Sequence, residues 1–496
     1  MRNRTDIKDF IVYIESNFKI NQWRVDDIHI WPILRIKLYF YLIRQLEIKP
    51  IPKKTTKTVY KKPDKKVFTK VVVNKFKSKI KLVLKLFKLF NWYLKLPQKD
   101  YLFIAGDVHR VDYKSSRFNR FFDVLIDKNK IREKSLYFEY GNKIVFNQYL
   151  ANQVRFHEPY YNHFITFDKF KKHIHTFQWE GYSKFEELLN KIPITSNFAK
   201  YYNKNKFQEW LINSYMPKVR YSEMLLKKIK PKQIHFLCYY SDFNFALLAS
   251  ANRLNIKTVE MQHGPQTDLH LAYGNWSNLP IKGYDILPSE FWCWDQESGN
   301  IIKKWASNNN KNEVKIVGHP WINYWKEKQT STNDKKYILY SLQPSPVRIE
   351  QLFTTAIINL IKSSEEEWLV RLHPRQMSEK KNIIKLLKDK GIYNKSNLEY
   401  ATKEALPILL NKSKLNLTHF SGTSIEASLF GVKTILFNEI GLNSFPVLIK
   451  QDKAVYIDFK DKDFKKKINL VLEQINTSCV YTWGKAISYD QNLFPK

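Results

Sequence analysis

The stretch Glu367-Trp368-Leu369-Val370-Arg371-Leu372-His373-Pro374-Arg375 decides how the rest of the chain is read. A short run of buried-strand character leads into a polar segment, and Pro374 restricts His373 to extended backbone, so the strand ends there. In parallel α/β sheets ligands bind beyond the carboxyl ends of the strands, which puts His373 and Arg375 at a crevice. Histidine can donate a hydrogen bond to a phosphate or leaving group, and arginine offers a bidentate fork. A strand end carrying a structural histidine is the plainer alternative.

Working outward, short apolar runs recur at 101–105, 234–239, 258–261, 314–317, 337–340, 368–372, 415–419 and 434–437. Helical stretches such as 243–254 and 351–362 lie between several of them. This is the rhythm of parallel sheets covered on both faces. The spacing predicts two α/β domains, 100–325 and 326–475. The region 141–230, rich in helix and aromatics, reads as an insertion or outer layer of the first domain. A tail, 476–496, is expected to pack back on that domain.

Three more strand ends carry chemistry. Thr418-His419-Phe420-Ser421-Gly422-Thr423-Ser424-Ile425-Glu426 runs through a small-residue turn into a helix. The hydroxyls of Ser421, Thr423 and Ser424, with the tight turn at Gly422 and the unpaired first-turn amides, make a phosphate seat. The same residues also read as an ordinary N-cap. Glu426 either takes ribose hydroxyls or faces solvent. Met261-Gln262-His263-Gly264-Pro265 follows another strand and sets His263 opposite His373, with Asp268 and His270 close behind. Ala105-Gly106-Asp107-Val108-His109-Arg110-Val111-Asp112, followed by Arg117 and Arg120, offers Asp107 and Asp112 as a base or as sugar-hydroxyl ligands. Smaller pieces are Gly318-His319-Pro320, and Ser341 and Gln343, placed for a phosphate or a nucleotide base.

Composition bounds the alternatives. The chain has 496 residues, 44% apolar and 26% charged, which suits a folded protein of more than one core. Lys plus Arg number 83 against 47 acids, a net +36, so anionic partners are expected: phosphates, nucleic acid or an acidic membrane face. Three cysteines, Cys238, Cys293 and Cys479, form neither a disulfide scaffold nor a closely spaced zinc set. There is no Gly-x-Ser-x-Gly, no Walker loop and no complete Gly-x-Gly-x-x-Gly. Asp461-Lys462-Asp463 lies in a lysine-rich surface run, and no metal site is expected. No zinc-finger spacing or RNP pattern supports nucleic-acid binding.

Residues 1–99 read as a basic helical extension. Helix is expected over 7–46 with a boundary near Trp31-Pro32, then a Pro/Lys/Thr-rich linker over 48–66. A second helix over 71–94 sets Phe76, Ile80, Val83, Leu84, Phe87 and Phe90 against Lys77, Lys81, Lys85 and Lys88. Residues 51–99 hold 16 lysines and one acid. The helix is either packed on the body by its apolar side or lies in an anionic membrane interface. No apolar run of about 20 residues follows the first residues, so neither a spanning helix nor a secretory signal is expected. Cytoplasmic placement at the inner face of the plasma membrane follows as the expectation.

The ordered set Gln262-His263-Gly264, Gly318-His319-Pro320, Arg371 to Arg375 and Ser421-Gly422-Thr423-Ser424 resembles bacterial surface-polysaccharide glycosyltransferases of GT-B type. That kinship takes in capsule and lipopolysaccharide enzymes using CMP-linked Kdo or sialic acids, and CDP-glycerol polymerases of teichoic acid. The resemblance covers roughly 100–475. It implies two Rossmann-like domains facing across a cleft and an inverting, metal-independent transfer from a CMP-linked ulosonic acid to a glycan or lipid-linked glycan. It also implies that His373-Pro374 and Ser421, Thr423 and Ser424 bind the cytidine nucleotide. The acidic base motif of several sialyltransferases has no match before His373, which leaves Asp107, Asp112, His263 and Asp268 as candidates. A CDP-glycerol-type polyol-phosphate transferase and a non-catalytic polysaccharide assembly protein are the rival readings.

Overall fold

A computed structural model describes residues 1, 3–47, 71–140, 147–328, 335–344, 347–477 and 493–494, the side chains of 47, 71–80, 476 and 477 excepted. The expected linker over 48–66, Cys479 and most of the 476–496 tail lie outside these residues.

Two parallel sheets organise the chain. The first contains Tyr101–Gly106 (β1), Ser135–Tyr140 (β2), Val154–Phe156 (β3), Gln233–Phe236 (β4), Lys257–Met261 (β5), Glu290–Cys293 (β6) and Glu313–Ile316 (β7). Its spatial order is β7-β6-β5-β4-β1-β2-β3, all parallel. The second contains Tyr337–Ser341 (β8), Glu367–Arg371 (β9), Ser413–Thr418 (β10), Lys433–Leu436 (β11) and Ala454–Tyr456 (β12), in the order β9-β8-β10-β11-β12. Both are doubly wound, and each reverses direction at one switch point, between β1 and β4 and between β8 and β10. These are two Rossmann-like α/β domains, and a GT-B arrangement describes them.

The central strands are apolar on both faces, as helix-covered parallel strands must be. Every residue of β1 is buried. Sequence reading placed β1, β5 and β7 to β11 within a residue or two, and β4 with its end three residues too far along. It missed β2, β3, β6 and β12. Of these, Ser135-Leu136-Tyr137-Phe138-Glu139 hides a carboxylate in the strand, held by the guanidinium of Arg110.

Helices Arg4–Asn17 (α1) and Trp31–Glu47 (α2) depart from the expectation of an extension. Asn3 caps α1 by accepting the Asp6 amide at 2.9 Å, and Ile7, Ile11 and Ile14 fall on one buried stripe. Residues 18–30 are not helical. They form a turn and a small hairpin, Arg24–Val25 with Ile28–His29, which pairs with Phe177–Gln178. The apolar side chains of α1 and α2 share one core with Leu102, Ile104, Phe236 and Phe291 of the first sheet. A buried polar knot locks them there. Glu15 takes Arg35 Nε at 2.6 Å and Trp31 Nε1 at 2.9 Å on one oxygen, and the Ser277 amide and hydroxyl on the other. Arg35 also donates to the Gly274 and Asn275 carbonyls and stacks over Trp276. Residues 1–47 are therefore packed into the first domain, and Val71–Leu94 (α3) lies against the helix Glu158–Asp168 through Trp92, stacked on Tyr160.

Helices from 158 to 229 form the outer layer of the first sheet. The helix Pro320–Lys328 bridges the domains, so the boundary expected at 325/326 falls inside it. Its Trp321 packs on Phe118 and Tyr113, whereas Ile322 enters the core with Leu339, Leu369 and Phe430. At the far end of the chain Phe494 lies edge-on to Tyr101 and Trp292, within the first domain's core.

Two outcomes follow. Glu15→Ala leaves the Arg35 guanidinium buried without its carboxylate, and urea unfolding is expected to show a loss of about 3–5 kcal/mol. Burial holds His157, His235 and His270 near pKa 3, below the ordinary 6.5. The native state keeps them neutral while the unfolded chain takes up protons, so their stability is complete above 6.5 and lost as pH falls toward 3. Each costs up to about 2 kcal/mol at about pH 5. Asp123, raised by burial to about 6, works in the opposite sense, as do the raised Glu139 and Glu260, but His109, His319, His373 and His419 are lowered by burial as well and add to the three. The urea midpoint is expected to fall between neutral pH and about pH 5.

Candidate active site

The carboxyl ends of both sheets open onto one cleft. Loops after β1 and β5 supply one wall, and loops after β8, β9 and β10 supply the other.

In the first wall, Gln262 pegs the loop that carries His263. Its amide nitrogen donates to the Gly264 carbonyl and to Ser298 Oγ, each at 3.0 Å, and its oxygen accepts the Trp294 amide at 2.7 Å. His263 Nδ1 stands 3.6 Å from Glu260 Oε1 at the end of β5. Glu260 is fully buried and accepts the Tyr273 hydroxyl at 2.8 Å and the Cys238 amide at 3.2 Å. Burial raises its pKa, against the pull of His263 and Tyr273. At this distance His263 Nδ1 is left without a hydrogen-bond partner, and the nearby carboxylate favours the ring's protonated form through its charge. His109 lies beside His263, ring centres 5.6 Å apart, with Nδ1 accepting the Gly106 amide at 3.2 Å. Burial, then His263 and Arg120, pushes its pKa well down, so it is neutral and its Nε2 carries the proton.

In the second wall, His373 ends β9 as the sequence implies, with φ −69° and ψ 145°. Its Nδ1 accepts the Arg375 amide at 3.1 Å. Burial first, then Arg375, Arg120 and Arg371, lowers its pKa to about 4. At neutral pH it is a neutral ring with the proton on Nε2, a donor rather than an acid. Ser421 Oγ accepts the Thr423 amide at 3.3 Å, while Gly422 stands at the N-cap position without a side-chain cap, so neither Thr423 nor Ser424 caps the helix as the plainer reading expected. Thr423 Oγ1 and Ser424 Oγ are buried with no hydrogen-bond partner.

Two contacts join the walls. His319, after β7, stands 3.3 Å from Glu426 Oε1. Its ring stacks near Trp294, centroids 4.1 Å apart. Burial raises the Glu426 pKa, but His319, Arg120 and Arg371 outweigh it and hold the carboxylate below its usual value. Glu426 thus faces neither solvent nor open cleft. The second contact is Gly422 on Pro265: a Cβ at 422 would lie 3.0 Å from the proline Cδ. Arg120 belongs to both walls. Its charge acts on His109 and His319 from one side and on Arg371, His373 and Glu426 from the other, and its Nε has no hydrogen-bond partner.

Several expected site residues are placed otherwise. Asp112 lies on the hairpin Arg110–Tyr113/Ser116–Asn119, its side chain 86% exposed and paired with Arg117, because the strand end turns outward into a two-stranded ribbon. Asp107 is held by the same Arg117 at 3.0 Å and is not a free base. Ser341 Oγ donates to Asn416 Oδ1 at 3.0 Å inside the second sheet. Gln343 Oε1 accepts the Phe420 amide at 2.7 Å, and its carbonyl accepts Gln376 Nε2 at 3.0 Å. Ser341 and Gln343 therefore tie the site loops to the sheet instead of reaching a ligand. Arg375 is exposed at the rim. Asp268 is exposed beside Lys304. Sequence reading passed over Glu260 as the partner of His263; it named Arg120, with Arg117, for an anionic group but not its place between the two walls. The signal for that place was present in Phe118-Asn119-Arg120-Phe121-Phe122, a guanidinium between buried rings. Among the described residues no group of three His, Cys, Asp or Glu side chains is arranged to hold a metal ion.

Beside the first wall lies a groove of about 370 Å³ between α2 and the segment after β4, lined by Phe40, Tyr41, Phe198, Tyr202, Tyr240 and Asp242 among others. Tyr240 separates it from His270, ring centres 5.8 Å apart.

No protein-family model matches the chain, and no curated protein matches it. Solved structures do. Staphylococcus aureus MnaA in a co-structure with UDP shares 12% identity at a TM-score of 0.44, over 78% of this chain and 93% of that one. UDP-GlcNAc 2-epimerase from Neisseria meningitidis, bound to UDP-GlcNAc, shares 13% at 0.42, over 77% and 94%. Acinetobacter baumannii MurG shares 9% at 0.38, over 77% and 93%. Likenesses at this level carry no argument about function, and the fold stands on the sheet topology itself.

Gly422→Val tests the contact between the walls. The side chain has no room against Pro265, so the walls must part. Small-angle scattering is expected to show a larger radius of gyration, and the urea midpoint is expected to fall, because the apolar cluster that joins Ile425, Leu436 and Phe445 to Trp294 and Val317 opens with the walls.

Proposed function

We propose that the protein is a nucleotide-sugar-dependent glycosyltransferase. It moves an ulosonic acid of the Kdo or sialic-acid kind from a CMP-linked donor to a glycan or lipid-linked glycan acceptor, with inversion and without a metal ion. The observation that carries the reading is the convergence of unpaired donors from two domains on one cleft: Arg120, Thr423 and Ser424, with the Nε2 proton of His373. Buried donors without partners cost free energy unless a ligand accepts from them. An anionic ligand is the complement of this set, and a CMP-linked ulosonic acid brings both a phosphate and a carboxylate.

The residues divide the chemistry between them. The acceptor hydroxyl lies against His263, whose Nε2 takes the proton as the oxygen attacks the anomeric carbon. Glu260 steadies the imidazolium that results. The bond from the anomeric carbon to the phosphate oxygen breaks, and CMP leaves with the bonding pair. Arg120, Thr423, Ser424 and His373 meet the charge that grows on that phosphate, where preorganised donors contribute most. Arg375 at the rim suits the sugar carboxylate. The aromatic groove beside α2 offers ring faces to the apolar faces of acceptor sugars, and Asp242 offers a hydrogen-bond acceptor to their hydroxyls. His319 with Glu426, and Gly422 on Pro265, keep the walls close and water out. The reading places the enzyme in the cytoplasm, working on an acceptor at the inner face of the plasma membrane.

A CDP-linked polyol would fill the same phosphate seat, and the products tell the two apart. The test is CMP release from CMP-Kdo and CMP-sialic acid, and from CDP-glycerol, by the wild type and by His263→Ala and Glu260→Gln. The reading expects free CMP from an ulosonic donor. It also expects at least a hundredfold loss in kcat for His263→Ala, in line with general-base catalysis, and a smaller loss for Glu260→Gln with the donor KM unchanged. CMP from CDP-glycerol alone assigns the polyol-phosphate reaction. No turnover of any donor by folded protein, together with intact binding, supports an assembly protein that has lost catalysis.

A further inference from the structure

We propose that α3 is a docking surface for an anionic lipid bilayer and lies in its interface with one face buried among the headgroups. This stands apart from the donor chemistry, and either can fail without the other.

Among the described residues sixteen large apolar side chains are exposed, and six of them crowd into one stretch of α3: Val83, Leu84, Leu86, Phe87, Phe90 and Leu94. Their exposures run from 43% to 66%. Val83, Phe87, Phe90 and Leu94 follow the spacing i, i+4, i+7, i+11 and make one stripe along the helix. The helix is held to the body by a different stripe. Leu89 and Leu96 are buried, and Trp92 stacks flat on Tyr160 with ring centres 4.2 Å apart. The exposed stripe is thus not the face that built the fold. An unpartnered apolar ridge of this size on a folded protein marks an interaction site.

Charge chooses the occupant. Lys81, Lys85, Lys88 and Lys95 stand on the same stretch of chain, and residues 81–95 contain no acid. Helical spacing sets Lys95 and Lys88 on the flank of the apolar ridge next to Leu84, with Lys81 and Lys85 farther round, so the nearer stems can snorkel while the ammonium groups reach toward headgroup phosphates. A second copy of the helix would bring like charge against like charge, whereas an anionic leaflet neutralises it. No described helix is long and apolar enough to cross a membrane, so the stripe lies on the surface.

The test is co-sedimentation of the full chain with phosphatidylcholine vesicles, with and without phosphatidylglycerol. It uses the wild type, Phe87→Glu/Phe90→Glu and Lys85→Glu/Lys88→Glu. All four side chains are exposed, so the thermal midpoints of the variants should match the wild type, and this is measured alongside. The expected result is binding to the phosphatidylglycerol vesicles at least about tenfold tighter than to phosphatidylcholine alone, weakened by salt. Each variant should lose most of that binding. The proposal is overturned if the wild type ignores anionic vesicles, or if both variants bind as it does. It is overturned equally if the wild type does not bind vesicles but elutes as a dimer that Phe87→Glu/Phe90→Glu dissociates, since the ridge then belongs to a second copy.

Discussion

The buried pair of His319 and Glu426, 3.3 Å apart, lies where the two domains meet, beside the apolar cluster that joins Ile425, Leu436 and Phe445 to Trp294 and Val317. The two members of the pair come from different sheets, and each would be costly to bury alone. The short approach of Gly422 to Pro265 works beside it, since a Cβ at 422 would lie 3.0 Å from the proline Cδ and press the two loops apart by a few tenths of an ångström. With the walls held at this separation, Arg120 acts on groups of both domains. The cleft then gathers positive charge and unpaired hydroxyls in one place. A site of this kind needs no flexible phosphate loop, since the donors are set by strand ends that two sheets hold rigid.

The division of labour between the domains follows from the same geometry. The second sheet presents donors only: a neutral imidazole, hydroxyls and guanidinium groups. The first sheet presents His263, backed by the buried carboxylate of its own strand, Glu260. Burial explains the contrast. His373 is lowered to about 4 by burial among arginines, which fits a hydrogen-bond donor and not a proton acceptor. His263 instead has Glu260 behind it, and Glu260 is itself held by Tyr273 and the Cys238 amide, so its carboxylate cannot swing away. The proposed reading gives these two histidines opposite tasks for that reason.

Much of this was legible in the sequence, for a physical reason. Parallel strands buried on both faces are short apolar runs, and polar residues just past them stand out, so His263, His373 and Ser421 to Ser424 could be read from pattern alone. What escaped was set by pairing in space. Asp107 and Asp112 have the right chemistry and follow a central strand, but Arg117 from the next strand of the ribbon claims them. Ser341 and Gln343 have the right register, yet Asn416 and the Phe420 amide use their polar atoms. Glu260 looked like one more strand residue because nothing in the sequence shows that Tyr273 and Cys238 will meet it. The first 47 residues looked like an appendage, since their helices are amphipathic and basic nearby. The buried triad of Glu15, Arg35 and Trp276 that welds them to the first domain joins positions far apart in the chain.

The central claim is that the cleft is built for a cytidine nucleotide. The most direct measurement is the thermal midpoint of the purified chain with CMP, CDP, UDP, GDP or ADP, each with and without magnesium, for the wild type and for Ser424→Ala. Ligand that binds only the folded state raises the midpoint. The account predicts a rise with CMP that does not need magnesium and that shrinks in the variant. No rise with any of the five nucleotides, or a rise that Ser424→Ala leaves whole, would contradict it.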